Sequence, residues 1–448
     1  AAAPLAACGA PAADAPAAPL PAAAPSPPPP GPPAAPPGRK ERLARIDASL
    51  ASAARFLARS QDPDGAFRSK IYGALRNDPS ITPLAMSALF FLPQGGPEAK
   101  DSFRRGVRFL EGFVGGDGQI REPAASPFVY PVYFSAAASW VVVLEEREAA
   151  NLRAQAAWLR YMKERRLDAS RGWKPEDPYF GGWGYFVGIP ERSKDARAGP
   201  GPLESNLSST LWGLGALRFA GVPPKDPLYG EILSFVVRCQ NFPPDGEASQ
   251  PAFDDGGFYL SPLDDVLNKA GSAGKDARGR TRFRSYGSQT ADGLRAMLRC
   301  GLPGDHPRVL AARKWLEQRF DPAANPGEFP PSREVLRNAT YYYYAWSLSH
   351  ALANLGLLEV RRDGRRIPWA DALADALLER QKSDGAWANP LGDSKEDDPL
   401  IATSFAASAL AVCRRTISGE GPGMVFGGTP GDMKEVQGPR SKVQSPIP

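Results

Sequence analysis

Hydrophobic and polar positions divide residues 41–417 into two alternating kinds of segment. The first kind is amphipathic and charged. In Lys100–Val114, for example, Phe103, Val107, Phe109 and Leu110 are interleaved with Arg104, Arg105 and Arg108, the spacing of a helix with one apolar face. The second kind carries almost no charge. Ser135-Ala136-Ala137-Ala138-Ser139, Ser208-Ser209-Thr210 and Ala406-Ala407-Ser408-Ala409 are small-residue runs that let helices approach closely. A helix without a charged face is buried all round. The pattern predicts six pairs: Glu41–Ser60 with Ser80–Leu92, Lys100–Val114 with Tyr130–Glu146, Glu148–Arg166 with Ser205–Ala220, Leu228–Gln240 with Ser285–Cys300, Pro307–Phe320 with Ala339–Leu357, and Trp369–Gln381 with Leu400–Arg414. Six buried helices inside six amphipathic ones give an all-α fold, an α/α toroid or α6/α6 barrel.

The connections repeat as well. Gln381, Gly385 and Trp387 join a helix end to a tight turn and an aromatic side chain, and Asp398-Pro399 then starts the next helix as N-cap and first helical residue. Gln61, Gly65 and Phe67 repeat the pattern near the other end of the chain, with Asp78-Pro79-Ser80 opening the helix that follows. Weaker echoes are Gln240 with Gly246, and Gly182 with Trp183. Each glycine supplies the backbone freedom of a sharp turn. Two copies more than 300 residues apart make an internal repeat.

These residues resemble the prenyltransferase and squalene-oxidase repeat group, the toroids of terpenoid cyclases and protein prenyltransferase β subunits. The resemblance covers roughly residues 41–417 and is specific for fold rather than reaction, because one fold hosts many chemistries. It implies that the Gln and the aromatic are structural. It also implies an isoprenoid or other lipid held in a central aromatic cavity, with cyclisation as the accompanying chemistry. The alternative is a non-catalytic binding or scaffold module of the cell envelope that keeps the toroid without the acid. Hopene-forming relatives carry their acid in Asp-x-Asp-Asp, which is absent here; Asp254-Asp255, Asp264-Asp265 and Glu396-Asp397-Asp398 come nearest. The Cys and His zinc pattern of prenyltransferases is also missing. An active protein is therefore expected to be terpene-cyclase-like, with neither metal nor cofactor.

Composition narrows the partners. A net charge of +5 with scattered arginines gives no basic stripe for nucleic acid. Cys239, Cys300 and Cys413 lie in predicted helices, and His306 and His350 are the only histidines. No apolar run approaches the ~20 residues that span a membrane. Residues 1–38 are nearly all Ala, Pro and Gly, and those from 418 onward are rich in Gly, Pro and charge; both read as disordered tails flanking a toroid at 39–417. Leu5-Ala6-Ala7-Cys8 resembles a bacterial lipobox. It implies a protein exported to the periplasm or envelope and tethered to membrane through Cys8. The alternative is a low-complexity tail on a cytoplasmic protein.

Candidate chemistry then reduces to a few residues. Two adjacent carboxylates such as Asp254 and Asp255 can share a proton and raise one pKa, or simply serve the turn at Gly256-Gly257. Asp292 stands inside an inner helix, on one side with Gln289 and Tyr286, where a carboxylate must face water, a partner or a cavity; otherwise Asp292-Gly293 breaks the helix. Tyr342, Trp346 and His350 share a face of one inner helix, and Tyr130, Tyr133 and Trp140 of another. Facing the axis, they make an aromatic pocket with polar tips; packed between rings, they are core. The expected lining includes Tyr342, Trp346 and Asp292.

Overall fold

The computed structural model describes residues 38–92, 95–123, 128–192, 204–244 and 246–420. Cys8, the Ala/Pro-rich stretch around it and the C-terminal tail lie outside the described residues.

Charged and uncharged helices alternate along the chain. α1 (Arg39–Ser60) is followed, through the short α2 (Gly73–Arg76), by α3 (Thr82–Phe90). α4 (Gly96–Glu111) leads to α5 (Pro131–Val141), α6 (Ala149–Lys163) to α7 (Leu207–Phe219), and α8 (Leu228–Arg238) to α9 (Gly287–Arg299). α10 (Pro307–Gln318) leads through α11 (Glu334–Ala339) to α12 (Tyr341–Asn354), and α13 (Trp369–Arg380) leads to α14 (Pro399–Ser418). The second members form a closed inner ring: α3 packs on α5, α5 on α7, α7 on α9, α9 on α12, α12 on α14, and α14 on α3. The amphipathic first members lie outside it, and α1 closes the circle by packing on both α14 and α4. This is the α/α toroid expected from the alternation. Its only named strands among the described residues form two small hairpins, β1 (Ser272–Lys275) with β2 (Thr281–Phe283) and β3 (Glu359–Arg362) with β4 (Arg365–Pro368).

The inner helices are buried for the reason their composition gives. All thirteen residues of α7 except Phe219 are buried, including Ser208, Ser209 and Thr210. α14 is long and apolar enough to cross a membrane by length and composition, contrary to the reading of the apolar runs, but most of it is covered as a wall of the ring.

The Gln-Gly-aromatic turn is the joint between neighbouring outer helices. The Gln381 amide donates to the Gly385 carbonyl (2.9 Å) in its own turn and to the Ser49 carbonyl of α1 (3.0 Å). Gln61 does the same with Gly65 (2.8 Å) and Ser102 of α4 (2.9 Å). Gln240 does so with Gly256 (3.1 Å) and Arg308 of α10 (2.9 Å), so its glycine is Gly256 rather than Gly246. Each Gln amide thus bonds backbone carbonyls of its own turn and of the next outer helix. The aromatic residue anchors inward instead. The backbone N–H groups of Phe67, Trp183, Phe258 and Trp387 each donate to a threonine hydroxyl on the following inner helix: Thr82, Thr210, Thr290 and Thr403. Gly385 is left-handed (φ 94°), and a Cβ there would lie 2.5 Å from the Ser52 carbonyl oxygen. Only glycine lets the last turn press this closely on the first helix.

Candidate functional site

The outer-to-inner connections all emerge at one end of the barrel, where the inner helices begin. A cavity of about 530 Å³ opens there on the axis. Every inner helix contributes its N-terminal part: Leu84 from α3, Tyr133 and Ala137 from α5, Ser208 and Trp212 from α7, Gln289 from α9, Tyr343 from α12, and Ile401 and Phe405 from α14. Loop residues complete the rim, among them Tyr185, Leu260, Lys269, Lys395 and Glu396. The walls are mostly apolar and aromatic. Tyr133 stacks on Tyr185 (5.9 Å between centroids) and meets Trp212 edge-on (5.2 Å). Tyr343 meets Phe405 edge-on (5.3 Å).

An aromatic floor closes the pocket. Trp140 of α5 packs on Trp212 of α7 (5.6 Å), Trp212 on Trp346 of α12 (5.5 Å), and Trp346 on Phe405 of α14 (5.5 Å). α7 and α12 are not neighbours in the ring, so the Trp212–Trp346 contact crosses the axis. Below Trp346 sits His350, whose Nδ1 bonds the Trp346 carbonyl oxygen (2.7 Å). That carbonyl only accepts, so Nδ1 carries the proton; burial and the nearby Arg295 hold the ring's pKa well below the ordinary histidine value.

Asp292 lies at the edge of this floor, with no exposed surface. Its Oδ2 accepts from Ser208 Oγ (2.8 Å) and from the Tyr343 hydroxyl (2.7 Å), and its Oδ1 accepts from Ser347 Oγ. Gln289 Nε2 in turn donates to Ser208 Oγ (3.1 Å). Burial pushes the carboxyl above the usual carboxylate range, against the opposing pull of Arg295 and three donor hydroxyls. Arg295 is equally buried. It donates to Ser347 Oγ (3.1 Å), lies over the Trp346 ring (4.4 Å), and burial lowers its pKa to about 10.

Of the residues singled out in the sequence, Tyr133, Tyr286 and Gln289 line the pocket. The structure corrects four other placements. Tyr343 lines the pocket, not Tyr342, whose ring packs against Tyr341 (5.2 Å). Trp140, Trp346 and His350 fall on the axis but form or underlie the floor. Asp292 lies behind Ser208 and Tyr343 rather than in the lining. Asp254 and Asp255 are not in the lining and serve their turn, the other reading of that pair. Asp254 pairs with Arg282 (2.7 Å), while Asp255 accepts from Ser285 Oγ (2.7 Å) and from Trp315 Nε1 of α10 (2.8 Å), bracing their turn.

Arg295, three positions after Asp292, was missed in the sequence, and Glu396 stood there only as part of the acidic run Glu396-Asp397-Asp398. The Glu396 carboxylate accepts from the Tyr342 and Tyr343 amides (2.9 and 2.7 Å), capping the start of α12. Burial raises its pKa to about 7. Asp398, by contrast, is the N-cap of α14 as expected, accepting from the Leu400 amide (2.9 Å).

No family model matches the sequence, and no curated protein matches it. Among solved structures, the type II terpene cyclase MstE from Scytonema is 13% identical, with a TM-score of 0.48, covering 84% of this chain and 99% of that one. The unsaturated glucuronyl hydrolase from Bacillus sp. GL1 is 15% identical, with a TM-score of 0.48, covering 82% and 96%.

Proposed function

We propose that the axial pocket binds a long-chain amphiphile, an isoprenoid or another lipid. The observation that carries this reading is the distribution of side chains around the cavity. Leu84, Ala137, Trp212, Ile401 and Phe405 make a wall suited to an apolar chain, while the ionisable groups gather at the rim. A cavity of this size fits a ligand of a few tens of atoms. Ala137 presents only a methyl group to the cavity, so Ala137→Trp should fill the upper axis. Calorimetric titration with hexadecanol is expected to show saturable binding to the wild type and none to the folded Ala137→Trp protein. Equal binding by both removes the axial pocket as the site.

Cyclisation of the bound chain is a second reading, favoured by Asp292. Burial raises the proton affinity of Asp292, so a protonated Asp292 would pass its proton to the Tyr343 oxygen once the Tyr343 hydroxyl has turned from Asp292 to the ligand and gives its own proton to a substrate double bond. The resulting cation would then face the Trp212 and Phe405 rings. Incubation with squalene or a geranylgeranyl compound, followed by product analysis, tests this. Products that vanish in Asp292→Asn and Tyr343→Phe support it, and products unchanged in both exclude it.

A further inference from the structure

The rim of the pocket is chemically unlike its walls. Two loops meet there: one precedes α9 and carries Lys269, and the other precedes α14 and carries Asp393, Lys395 and Glu396. Both ammonium groups lack an ion-pair partner among the described residues. Glu396, the nearest buried carboxylate, already directs its two oxygens at the Tyr342 and Tyr343 amides. Lys395 is also held in an unusual backbone conformation. Its φ of 59° is one of two positive values among non-glycine described residues, in a region that L side chains seldom enter. That conformation sets its ammonium 5.5 Å from the Tyr72 ring and 5.5 Å from the Tyr130 ring. Tyr72 is fixed in turn by its hydroxyl, which donates to Asp397 and to the Gly392 carbonyl (3.1 Å) of the same loop. Lys269 is largely withdrawn from water, which pulls its pKa down, while Asp393 and Glu396 pull it up.

We infer that Lys269 and Lys395 form a head-group site for a carboxylate at the mouth of the axial pocket, so that the ligand is an amphiphilic acid whose chain runs down toward Trp212. The inference rests on the binding reading above and adds the class of head group. Charge balance points to a monoanion. Near pH 7, two lysines stand against Asp393 and a Glu396 whose pKa is about 7, which leaves a fraction of one positive charge, enough for a monoanion and too little for a dianion. A phosphate monoester brings close to two. Lys395 makes cation–π contacts but its ammonium has no hydrogen-bond or ion-pair partner among the described residues, so a charge-assisted hydrogen bond to the ligand replaces the water that the ligand displaces.

The test is calorimetric titration of the full chain with hexadecanoate, hexadecanol and hexadecyl phosphate below their micellar or solubility limits at pH 7. Hexadecanoate is expected to bind at least about tenfold tighter than the alcohol, the worth of one charge-assisted hydrogen bond. In Lys269→Gln and Lys395→Gln that ratio should collapse toward one, and Lys269→Arg should restore most of it. A misfolded variant would weaken acid and alcohol together and leave the ratio unchanged, so the ratio separates a lost head-group contact from a damaged pocket. Acid and alcohol binding alike to the wild type overturns the head-group site and leaves the binding reading standing. Phosphate preferred over carboxylate overturns the monoanion assignment. Failure of all three ligands to bind overturns the binding reading, and the head-group site with it.

Discussion

The two halves of the barrel axis are built from the same six helices and hold opposite contents. The half nearer the inner helices' N-termini places Ser208, Gln289, Ala137 and Ile401 around the axis and remains open. The half beyond it receives Trp140, Trp346, His350, Arg295 and Arg299 from those same helices and is filled. Arg299 lies in the last turn of α9 and donates to the Leu211 carbonyl (2.7 Å); Arg218, in the last turn of α7, donates to the Arg299 carbonyl (2.6 Å). Cations at helix C-termini complement the helix dipole, and large side chains occupy the volume. A closed ring of small-residue helices thus needs no special backbone to make a pocket. Choosing where along the axis the bulky residues begin is enough. Asp292 and Arg295 sit at that boundary, and several ways of disturbing the two halves follow.

The largest effect is expected at the boundary itself. Asp292→Ala leaves three donor hydroxyls and the buried Arg295 without their carboxylate, and breaking a buried charge network by removing one partner costs roughly 3–5 kcal/mol. Denaturant unfolding should show that loss, with Asp292→Asn milder because its side-chain oxygen still accepts. A stability unchanged by Asp292→Ala would mean that the floor does not depend on this network.

Gly385→Ala disturbs the outer seam and leaves the axis untouched. The left-handed backbone alone costs about 1–3 kcal/mol for a side chain, and the Ser52 carbonyl oxygen at 2.5 Å from the new Cβ adds strain. Thermal unfolding should fall accordingly while ligand affinity of the folded fraction is retained. Affinity lost in proportion to stability would show that the seam and the pocket are coupled.

The rim answers to pH. Glu396 has a folded pKa near 7 against an ordinary value of 4.5, so between these values the folded state holds the proton that the unfolded chain has released. Its contribution favours the fold at and below pH 4.5 and is lost as pH rises through 7. Glu396→Gln should flatten that part of the stability–pH curve; an identical slope in the variant assigns the dependence to another group. The smallest effect is expected for Tyr72→Phe. It removes the hydroxyl that holds the Gly392–Asp397 loop and should cost about 1 kcal/mol, measurable as a small shift in the denaturation midpoint.

The seam was legible in the sequence and the pocket only partly so, for physical reasons. Gln61, Gly65 and Phe67 act within one turn, so their spacing carries their geometry, and Gln381, Gly385 and Trp387 repeat it. At Gln240 a longer turn defers the glycine to Gly256, which hid the third copy behind Gly246. The sequence points to Tyr342 rather than Tyr343 because α12 carries no charge on any side, and such a helix offers no charged face to set its phase. Periodicity also gives the direction of a side chain but not its depth. Trp140, Trp346 and His350 therefore reach the axis but at the floor or beneath it. Lys269 and Lys395 come from separate loops that meet only when the ring closes, so no local pattern could join them.

The central claim is that the open half of the axis holds the chain of an amphiphile. A crystal of the protein grown with hexadecanoic acid brominated at its chain terminus tests it most directly. The account predicts a single strong anomalous peak inside the cavity against Trp212, between Tyr133 and Phe405, with the carboxylate at the rim. A fully occupied bromine elsewhere on the molecule, with none in the axial cavity at saturating ligand, would contradict it.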